Sequence, residues 1–344
     1  MVNIFQTKES ECYVIAEAGL NHNGSINIAK ELINVAFEAK ASAVKFQKRT
    51  IKELATKNTL EAIDNRFPNF GKTYKEIREH LEFDIQQYKE LKSYTESKGM
   101  DFIVTAFDIE AVDFLDELQV EIIKLASHSL TNLDLLEYLA ASNKKTIMST
   151  GMAELEEVDT AVAIFKQYDT PLLLMHCVSA YPTPLEECNL SMIKKLSERY
   201  SIPVGYSGHE IGWLPTKIAV GLGATAIERH YTLDKKMVGF DHKISLEPDE
   251  LKQMIKDIRL TESILGNGDK RVSQTEQITR DKYHVSMVSK RIIKKGEPLS
   301  KNLITYKNPG TGIPKKNEKT VLGKLAKYQI EADILLTEDM FVDE

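Results

Sequence analysis

The 344 residues, 42% hydrophobic and 28% charged, make an ordinary soluble composition, long enough for a barrel of about 250 residues and a small second domain. A net charge of −6 argues against a broad nucleic-acid surface, although a few lysines focused in one cleft can still hold an anion. No apolar run approaches the ~20 residues of a membrane span, the opening MVNIFQTKESE lacks the apolar stretch of a signal peptide, and the three cysteines form no CxxC pair. The expectation is a cytoplasmic protein in a reducing compartment, with neither nucleic acid nor membrane as partner.

The first strand is predicted over residues 13–18 (YVIAEA), followed by the turn GLNHNG at 19–24. Ser25 can cap a helix carrying Ile28, Leu32, Val35 and Phe37. A second strand covers 43–47. The polar segment from about 48 to 82, with Pro68 and Gly71, reads as a long loop, a lid or a substrate-binding insertion. A helix over 84–98 stops at Gly99. Apolar runs then recur as DFIVTAF, EIIKLAS, KTIMST and PLLLMHCVSAYP, with helices at about 110–118, 132–142, 154–168 and 189–200. Strand 7 covers 203–207, a helix 212–222, strand 8 226–230, and a last helix runs from about 248 to 266. Strand and helix alternating eight times is the pattern of a (β/α)8 TIM barrel, an α/β fold whose site lies at the carboxyl ends of the strands. The domain reading is a barrel over 1–268, a hydrophilic linker over 269–283, and a small β-rich domain over 284–344. The core of that last domain is marginal at its size, so it is expected to lean on another surface.

Chemistry-bearing residues gather at the predicted strand ends: Glu17, Lys45, Gln47, Thr105, Lys124, Ser127, Ser149, Tyr181, Ser207, His209, Glu228 and His230. His209 and His230 close strands 7 and 8. Adjacent strands lie about 4.8 Å apart, so both imidazoles can reach one ion such as Mn²⁺ or Zn²⁺. Closure of the barrel brings Glu17 of strand 1 to the same rim. The alternative is two unrelated polar rim residues. Lys45 and Lys124 sit inside apolar runs, which is costly unless each faces an anion. With Ser127, Ser149, Thr150 and Ser207 they can form a phosphate or carboxylate cradle. The alternative is two lysines snorkelling on the barrel exterior.

The motifs EAGLNHNG, VKFQ, STGM, HCVSAYPTP, GYSGH, IERHYTLD and GFDHKISLEPDEL, in this order, resemble those of the sialic acid synthases, which make N-acetylneuraminate and related nonulosonates. The C-terminal KKGEPLSKNLI and NPGTGIP look like that family's antifreeze-like (SAF) domain. The resemblance implies condensation of phosphoenolpyruvate (PEP) with an N-acetylhexosamine such as N-acetylmannosamine. It implies that His209 and His230 hold a divalent metal, Mn²⁺ first, with Mg²⁺ or Co²⁺ as alternatives. It also implies that Lys45, Thr105, Lys124, Ser127, Ser149 and Ser207 hold PEP. Glu17, Gln47, Tyr181 and Asp241 would hold the sugar, with Asn69 of the long segment a further contact and Glu17 a general acid/base. A domain-swapped homodimer is implied, in which one chain's C-terminal domain caps its partner's barrel.

Some positions depart from the family pattern. Gly208 and Glu210 stand where many members have Asp and Thr, and Ser179 where many have Asn. Asn308 replaces the Arg that reaches the sugar's N-acyl group, so it too is read as a sugar-facing position. The rival readings are a synthase acting on a phosphorylated or non-acetylated sugar, a KDO- or DAHP-type relative, and a non-catalytic sugar-binding barrel.

Overall fold

In the computed structural model, Ile4, Phe5 and residues 11–343 are described. Most of the opening segment, where no signal peptide is expected, lies outside the described residues. Eight parallel strands close in chain order: β1 (Tyr13–Gly19), β2 (Ala43–Lys48), β3 (Asp101–Ala106), β4 (Ile122–Leu125), β5 (Lys145–Ser149), β6 (Leu172–Cys177), β7 (Val204–Gly208) and β8 (Ala226–His230). β8 returns to β1, pairing His230 with Glu17. The expected α/β TIM barrel is therefore the observed architecture.

Around it run α1 (Ile26–Glu38), α2 (Ile51–Leu54), α3 (Lys57–Glu61), α4 (Tyr74–His80), α5 (Ile85–Ser97), α6 (Ile109–Glu117), α7 (Leu133–Ala141), α8 (Leu155–Gln167), α9 (Met192–Tyr200), α10 (Leu214–Gly221) and α11 (Pro248–Leu265). Local chemistry places their ends. Ser25 accepts from the Ile28 amide at the start of α1, and Asp84 and Gln87 form a capping box at the start of α5. α9 begins later than its apolar pattern suggests, because Asn189 takes a left-handed φ of 44° and interrupts the chain there.

The polar segment after β2 is not one loop. It holds α2, α3 and α4, and an antiparallel bridge joins Ile63 to Thr73. Ile77 and Leu81 bury against Leu20, with Phe67, Phe70 and Phe240 around them. These helices are too short and too polar to show a 3.6-residue period in the sequence.

Two cores sandwich the barrel wall. Outward residues such as Val14, Ala16, Val44, Phe46, Val104, Ile123 and Leu125 pack against the helices. Inward residues Tyr13, Ile15, Ala43, Ile103, Ile122, Ile147, Leu173, Met175 and Ala226 form an apolar floor inside the barrel. Alternation then puts the next inward positions, Glu17, Lys45, Thr105, Lys124, Ser149, Ser207 and Glu228, in a polar tier directly above it.

A second compact unit covers Asn267–Glu344. It contains α12 (Gln274–Tyr283), β9 (Ser286–Ser289), β10 (Ile304–Lys307), α13 (Glu318–Val321), β11 (Leu325–Ala326) and β12 (Phe341–Val342), with β9–β10 and β11–β12 paired antiparallel. α12 lies within the hydrophilic 269–283 segment and buries none of its residues. The unit has its own apolar core, including Met287, Ile293, Leu299, Leu303, Ile313, Val321, Ile330, Leu336 and Phe341. Cys12, Cys177 and Cys188 are free and buried. Among the described residues no helix is long and apolar enough to cross a membrane.

One glycine of the barrel wall is sterically required. A Cβ on Gly205 of β7 would stand 2.5 Å from both the Ala226 carbonyl oxygen and Met175 Sδ. Gly205→Ala is expected to destabilise the barrel by about 1–3 kcal/mol through overpacking. Denaturant unfolding of the variant checks this.

Candidate active site

The polar tier is built from charged and hydroxyl side chains paired by strand register. Glu17 lies opposite Lys45, Thr105 opposite Lys124, and Ser207 opposite Glu228. Lys45 Nζ is 2.9 Å from Glu17 Oε2 and 3.6 Å from Glu228 Oε1, and donates to Thr105 Oγ1 at 2.9 Å. Lys124 Nζ donates to Ser149 Oγ at 2.5 Å and to the Leu125 carbonyl at 2.9 Å. Ser207 donates to Glu228 Oε1 at 3.1 Å. Both lysines are buried inside the barrel, so neither snorkels on its exterior.

Burial works against the Lys45 charge, but Glu17 and Glu228 outweigh it and hold its pKa above the usual lysine value. Burial pulls the Lys124 pKa down, with Lys45 adding to the effect and Glu228 only partly offsetting it. For Glu228, burial would favour the neutral acid, but the two lysines prevail and keep the carboxylate charged.

Above this tier stand the two histidines, with ring centroids 5.5 Å apart. His209 Nδ1 donates to the Val178 carbonyl at 2.9 Å, which leaves its Nε2 a lone pair. His230 Nδ1 is buried without a hydrogen-bond partner and lies 3.9 Å from Asp241 Oδ2. Burial holds His230 below the ordinary histidine pKa. Two imidazoles on one rim, one with an orphaned buried nitrogen, suit a divalent cation that completes its shell with water or substrate. Among the described residues no third His, Cys, Asp or Glu joins them in a ready-made cage.

A cavity of about 240 Å³ brings together Glu17, Lys45, Gln47, Thr105, Lys124, Ser127, Ser149, Tyr181, Ser207, His209 and His230. The Tyr181 ring lies 4.1 Å from that of His209. Gln47 Nε2 donates to Glu17 Oε1 at 2.6 Å, and Ser127 Oγ accepts from the Gly151 amide at 3.0 Å. Asp241 stands beside His230 but does not line the cavity. Asn69 is exposed and does not line it either. Asn308 is an exposed residue of the second unit. A larger cleft of about 550 Å³, bordered by α8 and α9, shares only Met152, Cys177 and Ser179 with this cavity; of the expected residues it holds Thr150 alone, which therefore does not join the cradle.

The cavity also contains Phe107, His128, Met152, Cys177, Ser179 and Glu228, which sequence reasoning left without a role. For Glu228 a signal existed, because its place two residues before His230 in a strand puts both on the inward face. Arg49 is another omission. Its guanidinium lies 3.9 Å from the Phe107 ring centroid and donates to Gln47 Oε1, so the amide of Gln47 must turn its NH₂ toward Glu17. The segment after β2 is anchored to the loop that carries Asp241. Phe240 packs against Phe67 at 4.5 Å and takes the Arg66 and Arg78 guanidinium groups over its ring at 5.1 and 4.3 Å.

The sequence profile of the NeuB family matches residues 32–270. The chain belongs to the NeuB family. A SAF-domain profile matches residues 284–342. The N,N'-diacetyllegionaminic acid synthase of Campylobacter jejuni is 39% identical, over 94% of this chain and 98% of its own length. The N-acetylneuraminate-9-phosphate synthase of Mus musculus is 37% identical, over 95% of this chain and 92% of its own. The solved N-acetylneuraminic acid synthetase of Leptospira borgpetersenii superposes with a TM-score of 0.68 at 37% identity, covering 78% of this chain and 90% of that one. These relatives of the NeuB chain are sugar-acid synthases by name, so the family expected from the motifs is the family found.

The charge pairs predict a contrast between the two lysines. Lys45→Met leaves Glu17 and Glu228 buried without their shared cation and is expected to cost about 3–5 kcal/mol of stability. Lys124→Met removes an ammonium that burial disfavours, and the melting temperature is expected to stay level or rise. Thermal melts of the two variants check this, and equal losses would contradict it.

Proposed function

We propose that this NeuB-family chain condenses PEP with an open-chain N-acetylhexosamine, N-acetylmannosamine or a diacetamido relative, to give a nonulosonate and phosphate. The observation that carries the reading is the pair of buried ammonium groups with converging hydroxyls, directly beneath two histidines at the carboxyl end of a barrel. Lys45, Lys124, Thr105, Ser127, Ser149 and Ser207 offer the charge and hydroxyl donors that PEP's phosphate and carboxylate require. Gln47 and Tyr181 stand higher, where a sugar reaching the histidines would lie; Glu17 would meet it from the level of the lysines, and Asp241, beside His230, would contact its far end.

In this reading C3 of PEP attacks the sugar's aldehyde carbon, forming the new C–C bond, and positive charge develops at C2 of PEP. Water adds at C2, and the resulting tetrahedral species expels phosphate. Glu17 is the group placed to move a proton at the aldehyde oxygen or the attacking water. It accepts from Gln47 on one oxygen and faces Lys45 with the other, so its carboxylate is held in one orientation. His209 and His230 would hold a divalent cation, Mn²⁺ first, which supplies a Lewis acid for the aldehyde. The lysine tier offsets phosphate and carboxylate charge where bulk water is excluded. We further place the chain in the cytoplasm as a homodimer in which the SAF unit of one protomer caps its partner's barrel.

The experiment is phosphate release and product mass from PEP with a panel of hexoses, acetamido-hexoses and their 6-phosphates, with and without Mn²⁺. An N-acetylated, unphosphorylated acceptor is the expected best substrate, and His209→Ala or His230→Ala is expected to cut turnover by orders of magnitude. Full turnover after chelation, or no phosphate release with any acceptor, would contradict the reading.

Asn308 generates a specificity prediction. Asn lacks the guanidinium fork that the family's Arg presents. Asn308→Arg is expected to improve kcat/KM for N-acetylmannosamine relative to the wild-type chain's preferred acceptor. A wild-type chain that already strongly prefers N-acetylmannosamine over mannose and diacetamido sugars would show that Asn308 does not redirect the choice.

A further inference from the structure

Glu210 and Arg229 flank the two histidines along the chain, one directly after His209 and the other directly before His230. Alternation turns both away from the cavity, and neither lines it. Glu210 is 0% exposed and Arg229 1%.

The β7–β8 ladder ends where Gly208 pairs with Arg229. His209 therefore lies just past the last pair that joins β7 to β8. Arg229 supplies the missing tie. Its Nη1 donates to Glu210 Oε1 at 2.7 Å and to Thr216 Oγ1 at 3.1 Å, and its Nη2 donates to the Glu210 backbone carbonyl at 2.7 Å. One guanidinium thus holds both the carboxylate and the main chain of the residue after His209. The Tyr206 hydroxyl donates to Glu210 Oε2 at 2.8 Å and secures the other carboxylate oxygen.

A buried ion pair is weak evidence for stability, because well-packed apolar residues in its place are often as stable or more so. A planar fork that fixes a carbonyl and a carboxylate together does set position, and lysine cannot reproduce it. Gly208 belongs to the same arrangement. A Cβ there would stand 2.6 Å from Glu210 Oε2 and 2.8 Å from Tyr206 Cε1. The departures from the family pattern at 208 and 210 are therefore one feature, since the Glu210 carboxylate occupies the space a side chain at 208 would need.

We propose that the Arg229–Glu210 fork fixes the spacing of His209 and His230 and thereby sets the chain's affinity for a divalent cation. Both are positioning residues and touch no substrate. The inference rests on the two-histidine reading, and the wild-type arm of the experiment tests that reading separately.

Binding of Mn²⁺ to the full-length chain, read by electron paramagnetic resonance of the free ion, is compared with thermal melts recorded without metal. Three proteins are used: wild type, Arg229→Lys, and Glu210→Gln/Arg229→Met. The double variant removes both charges and leaves none buried alone. Arg229→Lys keeps the charge but loses the fork. The expected result is that both variants fold and bind Mn²⁺ about tenfold or more weakly than wild type, the scale of losses when groups that orient metal ligands are changed. A merely structural pair would move the melts and leave the affinity of the folded protein unchanged. Wild-type affinity in either folded variant overturns the proposal. Should the double variant not fold, Arg229→Lys decides. A wild-type chain that binds no Mn²⁺ overturns the two-histidine reading and this proposal together, whereas wild-type binding with unaltered variants overturns the proposal alone.

Discussion

Charge buried inside a closed barrel is the constraint on which the rest of the site depends. Lys45 is tolerated there because register sets Glu17 beside it and Glu228, on the other strand that flanks β1, meets it as well; Lys124 is held by Ser149 and the Leu125 carbonyl. A slip of one residue in β1, β2 or β8 would turn a charged group outward into the apolar layer beneath the helices and leave an opposite charge inside without that partner. The ladder that makes the fold therefore also makes the site's electrostatics. Two carboxylates against two ammonium groups leave the tier near neutrality, so an incoming anion meets cations that already have partners.

The wall carries information in both directions. Residues that line the cavity offer the chemistry, and neighbours around the rim fix where that chemistry points. Arg49, braced on Phe107, decides which end of the Gln47 amide meets Glu17. Phe240, held by Phe67, Arg66 and Arg78, anchors the stretch from which Asp241 projects. Ser127, near the end of β4, accepts from the Gly151 amide beyond β5 and so joins two neighbouring loops at the rim.

Much of this was legible in the sequence, for one physical reason. A parallel barrel strand alternates strictly between core and interior, so Lys45 with Gln47, or Ser207 with His209, can be assigned to a shared face from spacing alone. Strand 8 was legible to the residue, because ATAIERH follows a glycine and its spacing puts Glu228 and His230 on one face. What stayed hidden depends on contacts between residues far apart in the chain. No spacing rule joins Glu210 to Arg229, and the glycine at 208 becomes meaningful only when the carboxylate beside it is seen. The segment after β2 looked like a loop because α2 and α3 are too short for a period to show, and what packs it is Leu20 and Phe240, from other turns of the barrel.

The apolar floor has a consequence for traffic. Tyr13, Ile15, Ile103, Ile147, Leu173 and Met175 plug the barrel below the charged tier. Among the described residues the open way to that tier is from the rim, where Tyr181 and the two histidines stand. A single doorway with two depths imposes a queue. Whatever settles on the lysines must arrive before whatever settles beside Tyr181, and it must leave after it.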